Sequence, residues 1–504
     1  MQHILNHRFL VALLLGLLPV LAACGGAAAP ETITVQETVV VKETVVVEKE
    51  VEVEVVVTAT PAPEEAMSEE SMMEEKDYYY DPALAGEEIN IVLYEGPGTQ
   101  HMRPYVSLFE EETGIKANII EIAEASLIEK EVLDFTSEAG AYDVVQTTQD
   151  GAGVAYFASS GWLEDLTPYL EKTPAGFNYD DFAPAVQAAT SWPYGGVPKI
   201  PEAQPYAMME ELTTRIFVYR EDLFNDPAEQ AAFAEKYGRE LTVPTTSGEL
   251  LEVAEFFTRP DENLYGISFE GARDLQLYAV WVHFLWAFDG EEWDPTTYEV
   301  LLDSPESIAA SEYLLQLSQY TPPGFSSASL FEAVTAFAQG QAAMSIIWGP
   351  TFGMSAGPET QVTGKVGYGE IPGAKKYLVA GVGMGISTFS QSQAKKDAAW
   401  SFISFMESPR IQMQMQQDGN AGPRLSVVTN EEITEARPAE TLSTRLAAEK
   451  GHPWAMAGGA GTQFVDIVFT NLHRAIAAEV SVEQAMQDAD AEATTLFQDY
   501  SLLK

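Results

Sequence analysis

The chain has 504 residues, 46% of them apolar, enough for a packed core spread over more than one lobe. Its 76 acidic residues against 27 basic ones leave a formal net charge of −49, which argues against a nucleic-acid-binding face and against electrostatic adsorption to anionic lipid. With a single cysteine, Cys24, the chain has no intramolecular disulfide, no cysteine-based zinc site and no catalytic thiol elsewhere.

Residues 1–23 read as a signal peptide. Arg8 supplies the positive region, and Phe9 to Leu18 form an apolar stretch too short to span a bilayer. Leu21-Ala22-Ala23 then runs into Cys24, an arrangement that resembles the bacterial lipobox and implies lipidation of Cys24. Residues 24–87 read as a tether. Glu37-Thr38-Val39-Val40-Val41 nearly repeats as Glu43-Thr44-Val45-Val46-Val47, with high strand propensity but no turn to pair it. Pro61 to Pro82 carries eight acidic residues and one lysine, a composition too polar to pack. About 60 flexible residues give a span of roughly 45 Å, enough to hold a domain off a membrane.

The folded part is expected from residue 88. Ile89 to Tyr94 alternates as a strand and runs into the loop beginning Glu95-Gly96. A helix follows, ending through Phe109 to Gly114, then a strand over Lys116 to Ile122. Tyr142 to Val145 is a short strand leading to Gln149-Asp150-Gly151, where Asp150 is placed to cap the next helix, to contact a ligand, or both. This strand–loop–helix order predicts a mostly parallel sheet. Tyr194 to Pro198 is rich in Gly and Pro, and Arg215 to Phe224 contains a strand ending in a local Arg220/Asp222 pair. Thr246 with Glu249 forms a capping box opening a helix to Thr258. Leu275 to Phe288 is apolar on nearly every side, broken only by Gln276 and His283. It is too short to cross a membrane and reads as a buried core helix.

Ser329 to Phe352 is the most informative stretch. Ser329 with Glu332 is a second capping box, Gly340 ends the helix, and Ala342 to Ile347 reads as a buried strand. Trp348-Gly349-Pro350 breaks that strand and leaves an aromatic at its end, where open α/β sheets bind ligands. Taken alone, Trp348 reads rather as a core residue beside a turn. Further on, Val379 to Ile386 alternates with glycines, but the spacing fails the dinucleotide-binding pattern. Pro453-Trp454 sits in a glycine-rich loop, and Ser481 with Gln484 caps a last helix running to Tyr500.

No H-E-x-x-H, G-x-S-x-G or Walker A motif is present, and the histidines beyond the leader are widely separated. No metal and no cofactor is expected. A glycosidase pair of carboxylates stays open, because acids are abundant and nothing singles two out.

Several of these segments together resemble the sugar-type extracellular solute-binding proteins of ABC importers. They are Phe109–Ile115 (FEEETGI), Tyr142–Val145 (YDVV) with Gly161–Leu166 after it, Tyr219–Phe224 (YREDLF), Phe337–Met344 (FAQGQAAM), Ile371–Gly373 with Gly381–Ile386, and Gly419–Arg424. The resemblance implies a two-lobed α/β fold of the periplasmic-binding-protein type, each lobe a central, mostly parallel sheet flanked by helices. Lobe 1 would be about 88–196 and 372–418, and lobe 2 about 197–371 and 419–504. It implies capture of a sugar or oligosaccharide in an interlobe cleft and delivery to a membrane permease, by a monomer lipid-anchored on the outer face of the cytoplasmic membrane. Tyr94, Glu95 and Asp150 would line the cleft from lobe 1. Trp348, Phe352 and Trp454 would line it from lobe 2, with the backbone near Gly381 completing the wall. A cationic solute such as a polyamine is the alternative ligand; a surface-anchored glycoside hydrolase and a structural lipoprotein or adhesin are the alternatives of another class.

Overall fold

The computed structural model describes residues 76–95, 97–148, 153–193, 200–418, 422–454 and 457–503. All fall within one compact unit, Ser68–Lys504. The lipobox at Cys24, the tether to residue 75, Asp150 and the Tyr194–Pro198 segment lie outside the described residues.

Two sheets organise the chain. The first has the order Lys116–Ile122, Glu88–Tyr94, Val144–Thr148, Val382–Ile386, Met208–Met209. The second has the order Val366–Gly369, Arg215–Arg220, Ala342–Trp348, Tyr265–Ser268. The expected two-lobed α/β arrangement is present, but the sheets are mixed rather than mostly parallel. In the first, Val382–Ile386 runs antiparallel to Val144–Thr148 and to Met208–Met209. In the second, only Tyr265–Ser268 and Ala342–Trp348 are parallel. The reason is connectivity. Val382–Ile386 and Arg215–Arg220 arrive directly from the other lobe, not through a helical crossover. They therefore enter their sheets at the end where the parallel strands finish.

Local signals place most elements. The Ser247–Phe257 and Leu330–Ala338 helices both open on capping boxes. Gly340, at φ 73°, ends the second of these in the left-handed conformation that glycine adopts without a Cβ clash. Every residue of Ala342–Trp348 is buried, as a strand covered on both faces requires. The Leu275–Ala287 helix is buried from Leu277 through Trp286 and forms the centre of the second lobe's core.

The lobes are joined by crossings at residues 210–214 and 379–381 that pair with each other. Thr213 and Ala380 form an antiparallel bridge, each N–H donating to the other's carbonyl at 2.9 Å. The Pro438–Lys450 helix backs this junction. Ser443 Oγ accepts from the Thr214 N–H at 3.0 Å and donates to the Thr214 carbonyl at 2.7 Å. Ala439 and Leu446 of that helix belong to the second lobe's core, Ala447 and Ala448 to the first's. The first sheet thus takes its edge strand, Met208–Met209, from beyond the 196/197 division expected from sequence. Residues 76–87, expected as the end of the tether, are packed on the first lobe. Tyr78 is 1% exposed and lies edge-on to Phe405.

Candidate functional site

The strand ends of both sheets open onto the crossings. In the second sheet Arg215 is opposite Trp348, so both sit where the chain has just left the 210–214 crossing. In the first, Val382 is opposite Thr148, so the ends of the Val144–Thr148 and Glu88–Tyr94 strands face the same junction. Residues 210–214 and 379–381 thus lie between the strand ends of the two sheets.

At this end of the second sheet stands Trp348, which also belongs to the second lobe's core. Its indole is 8% exposed and its N–H donates to Gln276 Oε1 at 2.7 Å. The guanidinium of Arg215 lies 4.6 Å from the indole centroid, a cation–π distance. Arg215 Nη1 donates to both oxygens of Glu270 at 3.0 and 2.9 Å, and Nη2 donates to Gln276 Oε1 at 2.7 Å. Arg215 and Glu270 are 0% and 1% exposed in their side chains, a fully desolvated pair. Burial pushes the Glu270 carboxyl upward, and Arg215 offsets part of that. Gln276 occupies the first turn of the Leu275–Ala287 helix, whose N-cap Asp274 accepts from the Gln276 backbone N–H at 2.9 Å.

On the first lobe, the Tyr94 N–H donates to Gln146 Oε1 at 2.8 Å, and Gln146 Nε2 donates to Glu210 Oε2 at 3.3 Å. Glu210 stands on the crossing itself and is 1% exposed. Burial, reinforced by the neighbouring Glu211, pushes its pKa up to about 8, so it is mostly protonated at neutral pH.

The expected site residues separate into groups. Tyr94 and Trp348 each end a strand, Glu88–Tyr94 and Ala342–Trp348. Glu95 follows Tyr94 with an exposed side chain, its N–H donating to the Ile122 carbonyl at 2.7 Å. Gly381 lies in the second crossing. A Cβ there would stand 1.8 Å from the Glu211 carbonyl oxygen, so the close approach its glycine permits is to the other crossing. Phe352 is half-buried and packs edge-on against Tyr368 at 5.9 Å, making a separate aromatic pair. Trp454 is 5% exposed and stacks on Tyr278 at 5.6 Å within the second lobe's core. Its indole N–H finds no acceptor among the described residues.

Sequence reasoning missed Arg215, Glu270, Gln276, Gln146 and Glu210. One signal existed: Gln276 and His283 are the polar breaks in an otherwise apolar helix. His283 is structural. Its Nδ1 pairs with the Ala279 carbonyl at 2.8 Å and its Nε2 accepts from the Leu378 N–H at 3.2 Å. Burial, with the Arg215 charge, pushes its pKa down to about 3. Among the described residues no cluster of His, Cys, Asp and Glu could hold a metal, and no helix is long and apolar enough to cross a membrane.

Two lobes, paired crossings and strand ends that face each other define a hinged binding protein. Residues 95–413 match the family model described as bacterial extracellular solute-binding protein, and the chain belongs to that family. A probable amino-acid ABC transporter periplasmic-binding protein of Sinorhizobium fredii is 22% identical over 368 residues, 70% of this chain and 76% of that protein. A mannitol-binding protein of Pseudomonas aeruginosa is 24% identical over 264 residues, 52% of this chain and 55% of that one. An ABC transporter solute-binding protein of Agrobacterium radiobacter, solved with ribitol, superposes with a TM-score of 0.67 at 24% identity, covering 82% of this chain and 100% of that one.

Proposed function

We propose that this chain captures a neutral polyhydroxylated solute, a sugar, oligosaccharide or polyol, between its lobes. Hinge closure about residues 210–214 and 379–381 then presents the loaded form to the permease subunits of an ABC importer. The observation that carries the reading is the commitment of Arg215. The carboxylate of a free amino acid is held best by an accessible cation, whereas this guanidinium is wholly buried, bonded to Glu270 and Gln276 and packed on Trp348. Glu210, the carboxylate on the crossing, is buried and its pKa is pushed up to about 8, so it offers a polyamine little charge at neutral pH. Mannitol and ribitol, ligands of the two relatives named above, are neutral polyols of the kind such a wall admits.

The test is a thermal-shift and calorimetric screen of D-mannitol, ribitol and maltose against glycine, glutamate and spermidine. A ligand at 100 times its Kd stabilises by about 2.7 kcal/mol. A shift with a sugar or polyol alone is expected; a shift with the amino acids or spermidine alone overturns the reading. The chain acts without turning over its ligand, and release of glucose from maltose by the purified protein would contradict that. Cys24 carries the lipid anchor and the protein works as a monomer on the outer face of the membrane. Cys24→Ser should move it to the soluble fraction, and unchanged membrane association would refute the anchor.

A further inference from the structure

We infer that the side-chain amide of Gln276 is a donor-only recognition element, presenting its NH₂ group to an oxygen of the bound solute. The inference rests on the reading of the interlobe space given above. An amide side chain can be turned either way, and its neighbours decide which. Here both neighbours of Oε1 are obligate donors: Arg215 Nη2 and Trp348 Nε1, each at 2.7 Å. A guanidinium and an indole N–H have no lone pair to accept with, so the flipped amide would set donor against donor twice. The oxygen is therefore locked toward Arg215 and Trp348, and the nitrogen points away from them.

That nitrogen has no partner among the described residues, although Gln276 is only half-buried and so not sealed in the core. It lies at the end of the sheet that faces the crossings, one hydrogen bond from Trp348. Arg215 is in turn held by Glu270, so the amide is oriented by a buried network before ligand arrives. Pre-set donors lose little freedom on binding. The group recognised is a hydroxyl, ring or glycosidic oxygen acting as acceptor.

The test separates recognition from support of Trp348. Gln276→Glu keeps an oxygen for Arg215 and Trp348 but removes the NH₂ donor. Gln276→Met keeps the volume and removes both. Affinities for D-mannitol, ribitol and maltose are measured by calorimetry, with apo melting temperature and indole fluorescence as readouts of the network. Gln276→Glu is expected to keep Trp348 on its oxygen partner, read as wild-type indole fluorescence, while weakening the sugars that bind wild type by about tenfold or more, which is about 1.4 kcal/mol. Gln276→Met should weaken them similarly and also lower the melting temperature. Gln276→Glu binding within about twofold of wild type (0.4 kcal/mol) would overturn the inference and leave Gln276 a support for Trp348. Wild-type protein binding none of the three would instead fell the sugar reading, and this inference with it.

Discussion

Tyr78 should hold the start of the folded domain, and removing it should destabilise the first lobe. Its ring is 1% exposed and meets Phe405 edge-on at 5.0 Å. Its hydroxyl donates to Glu112 Oε2 at 2.9 Å and accepts from Lys76 Nζ at 2.7 Å, while Arg410 Nη2 reaches Glu112 Oε1 at 3.1 Å. On either side, the Arg410 backbone N–H donates to Asp77 Oδ2 at 3.1 Å, and Ser401 Oγ donates to the Tyr79 carbonyl at 2.7 Å. Truncating a buried aromatic to alanine costs about 3–5 kcal/mol. Tyr78→Phe keeps the ring and loses only a hydroxyl bonded to charged groups, about 1.5–3 kcal/mol. At roughly 2–4 °C per kcal/mol for a unit of this size, Tyr78→Ala should lower the first lobe's melting temperature by on the order of 10 °C. A chain beginning at Glu87 should lose a similar amount relative to one beginning at Ser71, because it lacks the strap formed by residues 76–86 against the first lobe. Scanning calorimetry of the four proteins makes the comparison. If the chain beginning at Glu87 melts as the longer one does, the strap contributes nothing and the domain starts where the sequence suggested.

Three further outcomes are expected. Glu210 has a folded pKa of about 8 against 4.5 for the unfolded group, so the stability tied to its neutral form is full below pH 4.5 and is lost as pH rises through about 8. Glu210→Gln should therefore gain on wild type across that window, by about 1.4 kcal/mol per pH unit; parallel urea midpoints from acid to above pH 8 would refute this. Trp348→Phe keeps a ring on Arg215 and should cost about 1 kcal/mol for the lost N–H bond, whereas Trp348→Ala should cost about 3–5 kcal/mol. If Trp348 also contacts the solute, a folded Trp348→Ala protein binds about thirtyfold more weakly, roughly 2 kcal/mol; normal affinity in calorimetry would remove the residue from the site. Gly381→Ala forces a Cβ to within 1.8 Å of the Glu211 carbonyl and should push the two crossings apart, visible as a lower melting temperature; an unchanged melt would show that the junction yields without cost.

Helix starts, helix ends and buried strands were legible in the chain because each depends on residues a few positions apart. Ser329 and Glu332 cap the same turn, Gly340 stops the same helix, and Ala342 to Trp348 declares its burial by composition alone. The two-lobed arrangement was legible from the order of such segments. Of the residues expected at the site, Tyr94 and Trp348 stand at strand ends, as the strand pattern implies. What Trp348 touches is set across 72 positions to Gln276, and the ion pair beside it spans 55 positions from Arg215 to Glu270. No local periodicity encodes such a pairing. Nor does a sequence show that Gly381 makes room for a carbonyl of the other crossing, or that a tyrosine in an acidic stretch packs against Phe405, far along the chain. Those contacts exist only once the two sheets and the crossings between them have fixed which donor meets which acceptor.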